Sequence, residues 1–165
     1  MTLERLWAGW RSQYVESVAY GPEDTPCVFC RILASDGTAE ETLIVRRDDV
    51  YAVVLNAYPY TSGHLMVLPV RHVGELEDLG AEEAAAVWRG LGEAVRALKR
   101  AYHPDGINLG ANLGRVAGAG IPGHFHVHCL PRWSADTNFM TAVAEARVLP
   151  EALDVTLEKL RKAWP

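Results

Sequence analysis

Three histidines alternate with apolar residues in His124-Phe125-His126-Val127-His128-Cys129-Leu130. In an extended strand, alternate side chains share a face. His124, His126 and His128 therefore point one way, and Phe125, Val127 and Cys129 point the other way, into a core. Packing alone gives no reason to line up three imidazoles. Two chemistries use such a row. Imidazole is the commonest metal ligand, and neutral imidazole is also a nucleophile and acid–base group near pH 7. One strand can serve both, with neighbouring histidines taking different tasks. A second set of candidate ligands, Cys27-x-x-Cys30, lies far upstream, and its spacing suits a metal or a redox pair. Together with Cys129 the chain has three cysteines. That odd, small count fits a reducing compartment and no disulfide framework.

The elements that must carry these residues can be read from periodicity and turn chemistry. Leu3, Leu6, Trp7, Trp10 and Tyr14 are at helical spacing and predict a helix over 3–19. Strands are expected at 42–46, 51–55, 64–68, 107–112 and 124–130, with Pro69 and Pro131 stopping two of them. The clearest helix runs over 81–102. Its apolar stripe reads Ala84, Trp88, Leu91, Val95, Leu98 and Tyr102. Acidic residues in its first turn and basic ones near its last suit the helix dipole. Gly114 to Gly123 is a loop with four glycines, and a last amphipathic helix is expected from about 150 to 164. Strands without a helix between each pair predict an α+β fold, an antiparallel sheet with one long helix packed on it plus N- and C-terminal helices.

The chain has 165 residues, 49% of them hydrophobic, which suits one domain with one sizeable core. Its net charge is −5 and no Lys/Arg run stands out. A nucleic-acid backbone is therefore not an expected partner. A small phosphorylated ligand needs only a few local donors and stays open. No stretch reaches the roughly 18 apolar residues of a membrane span, and residues 1–20 lack the apolar run of a signal peptide. The expectation is a soluble, cytoplasmic protein with no membrane partner.

His-x-His-x-His followed by two apolar residues resembles the signature of the histidine triad superfamily. The resemblance extends along the chain. Leu6-Trp7-Ala8-Gly9-Trp10-Arg11 with Tyr14, then Cys27-Val28-Phe29-Cys30, is similar to the start of many bacterial members. Leu55-Asn56 followed by Gly63-His64-Leu65-Met66-Val67-Leu68-Pro69 resembles the family's nucleotide-binding segment. Pro131-Arg132-Trp133 with Asp136, Asn138 and Phe139 resembles the diadenosine tetraphosphate hydrolases and phosphorylases in particular.

That resemblance implies an enzyme acting on adenine nucleotides through a covalent nucleotidyl-histidine. It implies His126 as the nucleophile attacking the α-phosphorus, with its tautomer fixed by a backbone carbonyl. It implies His128 and His64 at the phosphate, Asn56 at the ribose, and Asn112 and the glycine-rich loop, Gly120 included, on the phosphate side. A structural zinc ion held by Cys27, Cys30, His72 and His124 is implied too. So is a homodimer formed through the long helix and one edge strand. The whole chain, 1–165, then forms a single domain, with residues 1–40 as its zinc-binding segment, 124–130 as the triad strand and 150–164 as the terminal helix. Diadenosine polyphosphate hydrolysis is the first expectation. Phosphorolysis of diadenosine tetraphosphate, phosphoramidate hydrolysis and a non-catalytic nucleotide-binding module are the alternatives. One departure bears on this choice. Many hydrolases of the family carry Gln or Ser in the loop before the triad, and here Ala117 to Gly123 offers no polar side chain.

Overall fold

The computed structural model describes residues 26–134, 136 and 150–165. The helix expected over 3–19 lies outside them, as do Asn138 and Phe139. Two short helices open the described chain: α1 (Val28–Leu33) and α2 (Ala39–Thr42). Neither is evident from periodicity, because each is too short to repeat. Local chemistry sets α2: Thr38 and Glu41 cap one another's backbone N–H groups.

Five strands follow: β1 (Ile44–Arg47), β2 (Tyr51–Leu55), β3 (Leu65–Pro69), β4 (Gly106–Gly110) and β5 (Val127–Arg132). They form one antiparallel sheet in the order β1-β2-β3-β5-β4. The long helix α3 (Ala81–Tyr102) and the last helix α4 (Leu153–Ala163) complete the α+β arrangement.

Alternation along the central strands divides the core in two. Tyr51, Val53, Leu55, Leu65 and Val67 face α3 and α4, with Phe125 and Cys129 joining them. Ala52, Val54, Met66 and Leu68 face the other way and pack with Phe29 and Leu33 of α1. Strands buried on both faces read as continuous apolar runs, which explains why β2 and β3 stand out in the sequence.

Three expectations need correction. The triad strand begins at Val127 rather than 124 and extends past Pro131 to Arg132. The rungs to β3 start only at Val67–Val127, while the Phe125 N–H bonds instead to the carbonyl of Val73. His124 and His126 therefore lie outside the ladder. Pro131 is tolerated because it lies beyond the last rung to β3, Leu65–Cys129, so its missing N–H has an edge-like setting there. Likewise β3 includes Pro69 as its final residue.

The third correction concerns the stripe of α3. Trp88 is 73% exposed and Ala84 is exposed, while Ala86, Val87, Gly90, Leu91, Ala94, Ala97 and Leu98 are buried. Small residues form the contact line, so they weigh little in a hydrophobicity pattern. A Cβ on Gly90 would stand 2.5 Å from the Tyr51 ring and 3.0 Å from Val67. The helix therefore lies close enough to the sheet that only glycine fits, and Tyr51 passes beneath it to donate its hydroxyl to Glu93 at 2.6 Å. Gly90→Ala should cost about 1–3 kcal/mol through overpacking. For a chain of this size that is a fall of about 2–4 °C in Tm per kcal/mol, readable by calorimetry.

Candidate active site and metal centre

Strand β3 supplies both ends of the site. At its start, Gly63 adopts φ +80° and turns the chain so that fully buried His64 enters the sheet. At its end, the Pro69 carbonyl faces His124. Because β5 runs antiparallel to β3, with His128 opposite Met66, the triad is laid out in reverse. His128 comes beside His64, and His124 comes beside Pro69.

Hydrogen-bond polarity fixes where each ring carries its proton. The Tyr60 backbone N–H can only donate, and it lies 3.1 Å from His64 Nδ1. Asn56 Nδ2 donates to the same nitrogen at 3.3 Å. The neutral His64 proton therefore sits on Nε2, which donates to His128 Nδ1 at 2.9 Å. That leaves the proton of neutral His128 on Nε2, an outward donor. His126 has the opposite tautomer, because its Nδ1 lies 2.8 Å from the His124 carbonyl, which can only accept. Its Nε2 is thus the unprotonated nitrogen, the one able to attack an electrophile. The His126 and His128 rings are 5.1 Å apart. One bare nitrogen and one N–H donor therefore sit side by side.

Burial favours the neutral rings this relay needs. Desolvation lowers the basicity of His126 and holds the pKa of His128 down to about 4. The edge of the Phe29 ring meets both His124 and His126, at 5.4 and 5.2 Å between centroids. The Tyr60 ring leans on His64 at 4.7 Å. Neither residue is evident as a site residue from its type. Tyr60 acts here through a main-chain N–H, which no sequence pattern reports.

His124, fully buried, belongs to a second cluster. Its Nε2–H donates to the Pro69 carbonyl at 2.9 Å, which frees Nδ1 for another partner. Cys27 Sγ lies 3.4 Å and Cys30 Sγ 3.6 Å from that nitrogen, and Cys30 Sγ lies 3.2 Å from His72 Nδ1. All four donor atoms fall within 4.8 Å of one another. Tetrahedral zinc with Zn–S about 2.3 Å and Zn–N about 2.0–2.1 Å has S···N edges of about 3.6 Å. Two sulfurs and two imidazole nitrogens at these separations fit that ion in number, type and spacing. The four come from separate parts of the chain. Cys27 and Cys30 are brought by α1. His72 follows β3 and is steadied by its neighbour Arg71, whose guanidinium grips both carboxylate oxygens of Glu83 at 2.7 Å.

The remaining expected residues are less central. Asn56, at the end of β2, also accepts the Tyr58 N–H through Oδ1 at 2.9 Å. Asn112 donates to the Gly118 carbonyl at 3.3 Å and so ties the glycine-rich loop. Gly120 lies in that loop beside buried Ala119. Arg132 pairs with Asp136 and with Asn108, holding the end of β5 to β4. Among the described residues, no helix is long and apolar enough to cross a membrane.

The arrangement has counterparts among known proteins. Residues 37–135 match the HIT domain family. The chain is 40% identical over 168 aligned positions to the AP-4-A phosphorylase of Mycobacterium tuberculosis, an alignment covering 98% of this chain and 85% of that protein. A zinc-bound histidine triad family protein from Mycobacterium smegmatis superposes with a TM-score of 0.67 at 29% identity, covering 83% of this chain and 91% of that one. A hypothetical histidine triad nucleotide-binding protein from Sulfolobus tokodaii gives 0.68 at 26% identity, with the same coverage.

The relay can be tested without any ligand. Protonating His128 would place a second hydrogen at Nδ1, against the Nε2–H of His64. An unfolded histidine titrates near 6.5. The unfolded chain therefore binds more protons between about pH 6.5 and 4, and stability should fall as pH is lowered through that window. The ring nitrogen shifts of His128 should show it neutral until about pH 4, and His128→Asn should flatten the pH dependence of Tm there.

Proposed function

The chain belongs to the HIT domain family, and on that premise we propose that it cleaves adenine dinucleoside polyphosphates by nucleotidyl transfer through His126. The observation that carries the reading is the opposed tautomers of His126 and His128. A transfer at phosphorus needs a bare nucleophile and, beside it, a donor for the charge that builds on the phosphoryl oxygens.

In the first step His126 Nε2 forms a bond to the α-phosphorus, and the bond from that phosphorus to the bridging oxygen breaks. With diadenosine tetraphosphate the leaving group is ATP, and AMP remains on the ring. Attachment leaves the ring cationic, and the His124 carbonyl already accepts the Nδ1–H that carries the positive charge. His128 donates its Nε2–H to a phosphoryl oxygen, with His64 behind it. Asn56 takes the ribose, while Asn112 and the loop around Gly120 shape the side holding the polyphosphate, Gly120 through its backbone N–H. In the second step an acceptor oxygen displaces His126. Phosphate gives ADP, and water gives AMP. The 40% identity to a protein named as a phosphorylase, together with the lack of a polar side chain over Ala117 to Gly123, favours phosphate. Hydrolysis is the second reading.

Cys27, Cys30, His72 and His124 would hold a zinc ion, which supplies a rigid cross-link between α1 and the triad segment. We also propose a homodimer. Strand β4 is an edge of the sheet, and its Leu109 is 46% exposed, as is most of Trp88 on α3. These are the strand and helix expected to meet a second copy around a twofold axis.

Product analysis with diadenosine tetraphosphate tests the reaction. ADP plus ATP, formed only when phosphate is added, is the expected result. AMP plus ATP regardless of phosphate would establish hydrolysis instead. His126→Ala should lower turnover by a factor on the order of 10⁴ or more without loss of fold. Unchanged turnover in that variant would sink the covalent mechanism. Light scattering should give twice the 18.1 kDa chain mass at micromolar concentration. Trp88→Glu should raise the dimer Kd at least about tenfold.

A further inference from the structure

The two clusters share one residue. His124 offers its ring to the cysteine–histidine cluster and its main-chain carbonyl to His126. We infer that His124 is a positioning residue that couples metal binding to the tautomer of His126, so that metal occupancy sets the competence of the reactive ring. The inference rests on the zinc reading above and goes beyond it, since that reading assigns the ion only a cross-linking role.

The argument starts from what does not hold the His124 carbonyl in place. The rungs between β3 and β5 stop at Val67–Val127, three residues short of His124. No sheet register orients the peptide unit linking His124 to Phe125. That unit is gripped at two points. Its N–H, from Phe125, donates to the Val73 carbonyl at 2.6 Å. Its oxygen accepts the His126 Nδ1–H at 2.8 Å. Val73 directly follows His72, and the carbonyl belongs to His124. The residues on either side of this peptide contact are thus the two imidazole members of the four-donor cluster. Cys30 Sγ approaches both, at 3.2 Å from His72 Nδ1 and 3.6 Å from His124 Nδ1. With a shared ion bound, His72 and His124 cannot move apart, and the 73–125 hydrogen bond is locked between them. Without it, the His124 ring keeps the Pro69 carbonyl and its edge contacts with Phe29 and His72, and its N–H keeps the 3.3 Å bond to Ile121, but no bond ties its ring to His72. The carbonyl can then tilt, and His126 loses the acceptor that holds its proton on Nδ1.

The test reads the ring directly and needs no nucleotide. It uses full-length chain with ¹⁵N-labelled histidine, in which the His126 signals are those missing from His126→Ala. Protein purified without added metal should carry about one zinc per chain by mass spectrometry, and His126 should be a single Nδ1–H form. After chelation, and in Cys30→Ser, the His126 nitrogens should move to averaged values of mixed tautomers. Zinc returned to the chelated protein should restore the single form. Turnover of diadenosine tetraphosphate should fall about 10- to 100-fold in kcat with little change in KM, the range for groups that orient a site from behind. His124→Cys keeps four ligands and the main-chain carbonyl, so it should retain both zinc and the Nδ1–H form. Gly90→Ala, whose added methyl would meet Tyr51 and Val67 and no member of either cluster, should lower Tm and leave His126 unchanged.

Four results would overturn the coupling. They are a chelated, folded chain that keeps the Nδ1–H form, a chain that unfolds outright on chelation, a chain that binds no zinc when zinc is added, and a Gly90→Ala chain with mixed tautomers. If diadenosine tetraphosphate is not a substrate, the ring spectra still decide the matter, because they involve only the protein.

Discussion

The chemistry proposed for His126 depends on the hydrogen bond from its Nδ1–H to the His124 carbonyl. A neutral imidazole has one proton and two nitrogens, so holding the proton on one nitrogen bares the other. The same logic runs through the other buried rings. Tyr60 donates to His64, His64 donates to His128, and His128 keeps its proton on the far nitrogen. His124 donates to Pro69 and turns its remaining nitrogen to the cysteines. In each case a backbone group with only one possible role starts the chain of assignments. Burial favours the neutral rings of His124, His126 and His128, and protonating His128 would also set two donors against each other.

An antiparallel sheet is well suited to building two sites from one row of histidines. β3 brings His64 at one end and the Pro69 carbonyl at the other. With β5 running the opposite way, residues four apart in the triad are delivered to opposite ends of β3. The outer histidines thus separate, one toward the cysteines and one toward His64, with His126 between them. A parallel partner would reverse that matching and bring His124 to His64. The division of labour among three similar side chains is therefore a property of strand direction and not of the residues themselves.

This also explains what could be read from the sequence. Alternation in 124–130 points Phe125, Val127 and Cys129 into the core; Phe125 and Cys129 are buried there with Val127 partly buried against them, while the His126 and His128 rings meet each other. The spans of β2 and α3 were equally plain, because long apolar patterns with clear ends leave few choices. The four donors of the metal cluster came from resemblance, and they do converge. Resemblance implied a backbone carbonyl at His126, but which main-chain groups act is not legible in the sequence. Tyr60, Pro69, Val73 and the carbonyl of His124 act through atoms that every residue possesses. The exposed position of Trp88 escapes the sequence pattern for a related reason. The helix meets the sheet through glycine and alanine, whose value lies in how closely they let backbones approach rather than in their hydrophobicity.

The departure of residues 124–126 from the ladder is best understood as a requirement. A carbonyl inside a sheet is turned toward its partner strand and spends its hydrogen bond there. To receive the His126 ring, the His124 carbonyl must be released from that duty, and the strand accordingly begins at Val127. Release removes the rungs that would otherwise fix the orientation of the peptide, so orientation has to come from side chains. His124 meets that need with an anchored ring, and the bond between Phe125 and Val73 places the partner segment next to His72. A cluster of four strong metal donors at this point, rather than more sheet or more apolar packing, is what a segment needs when it must be rigid and must keep a backbone oxygen free.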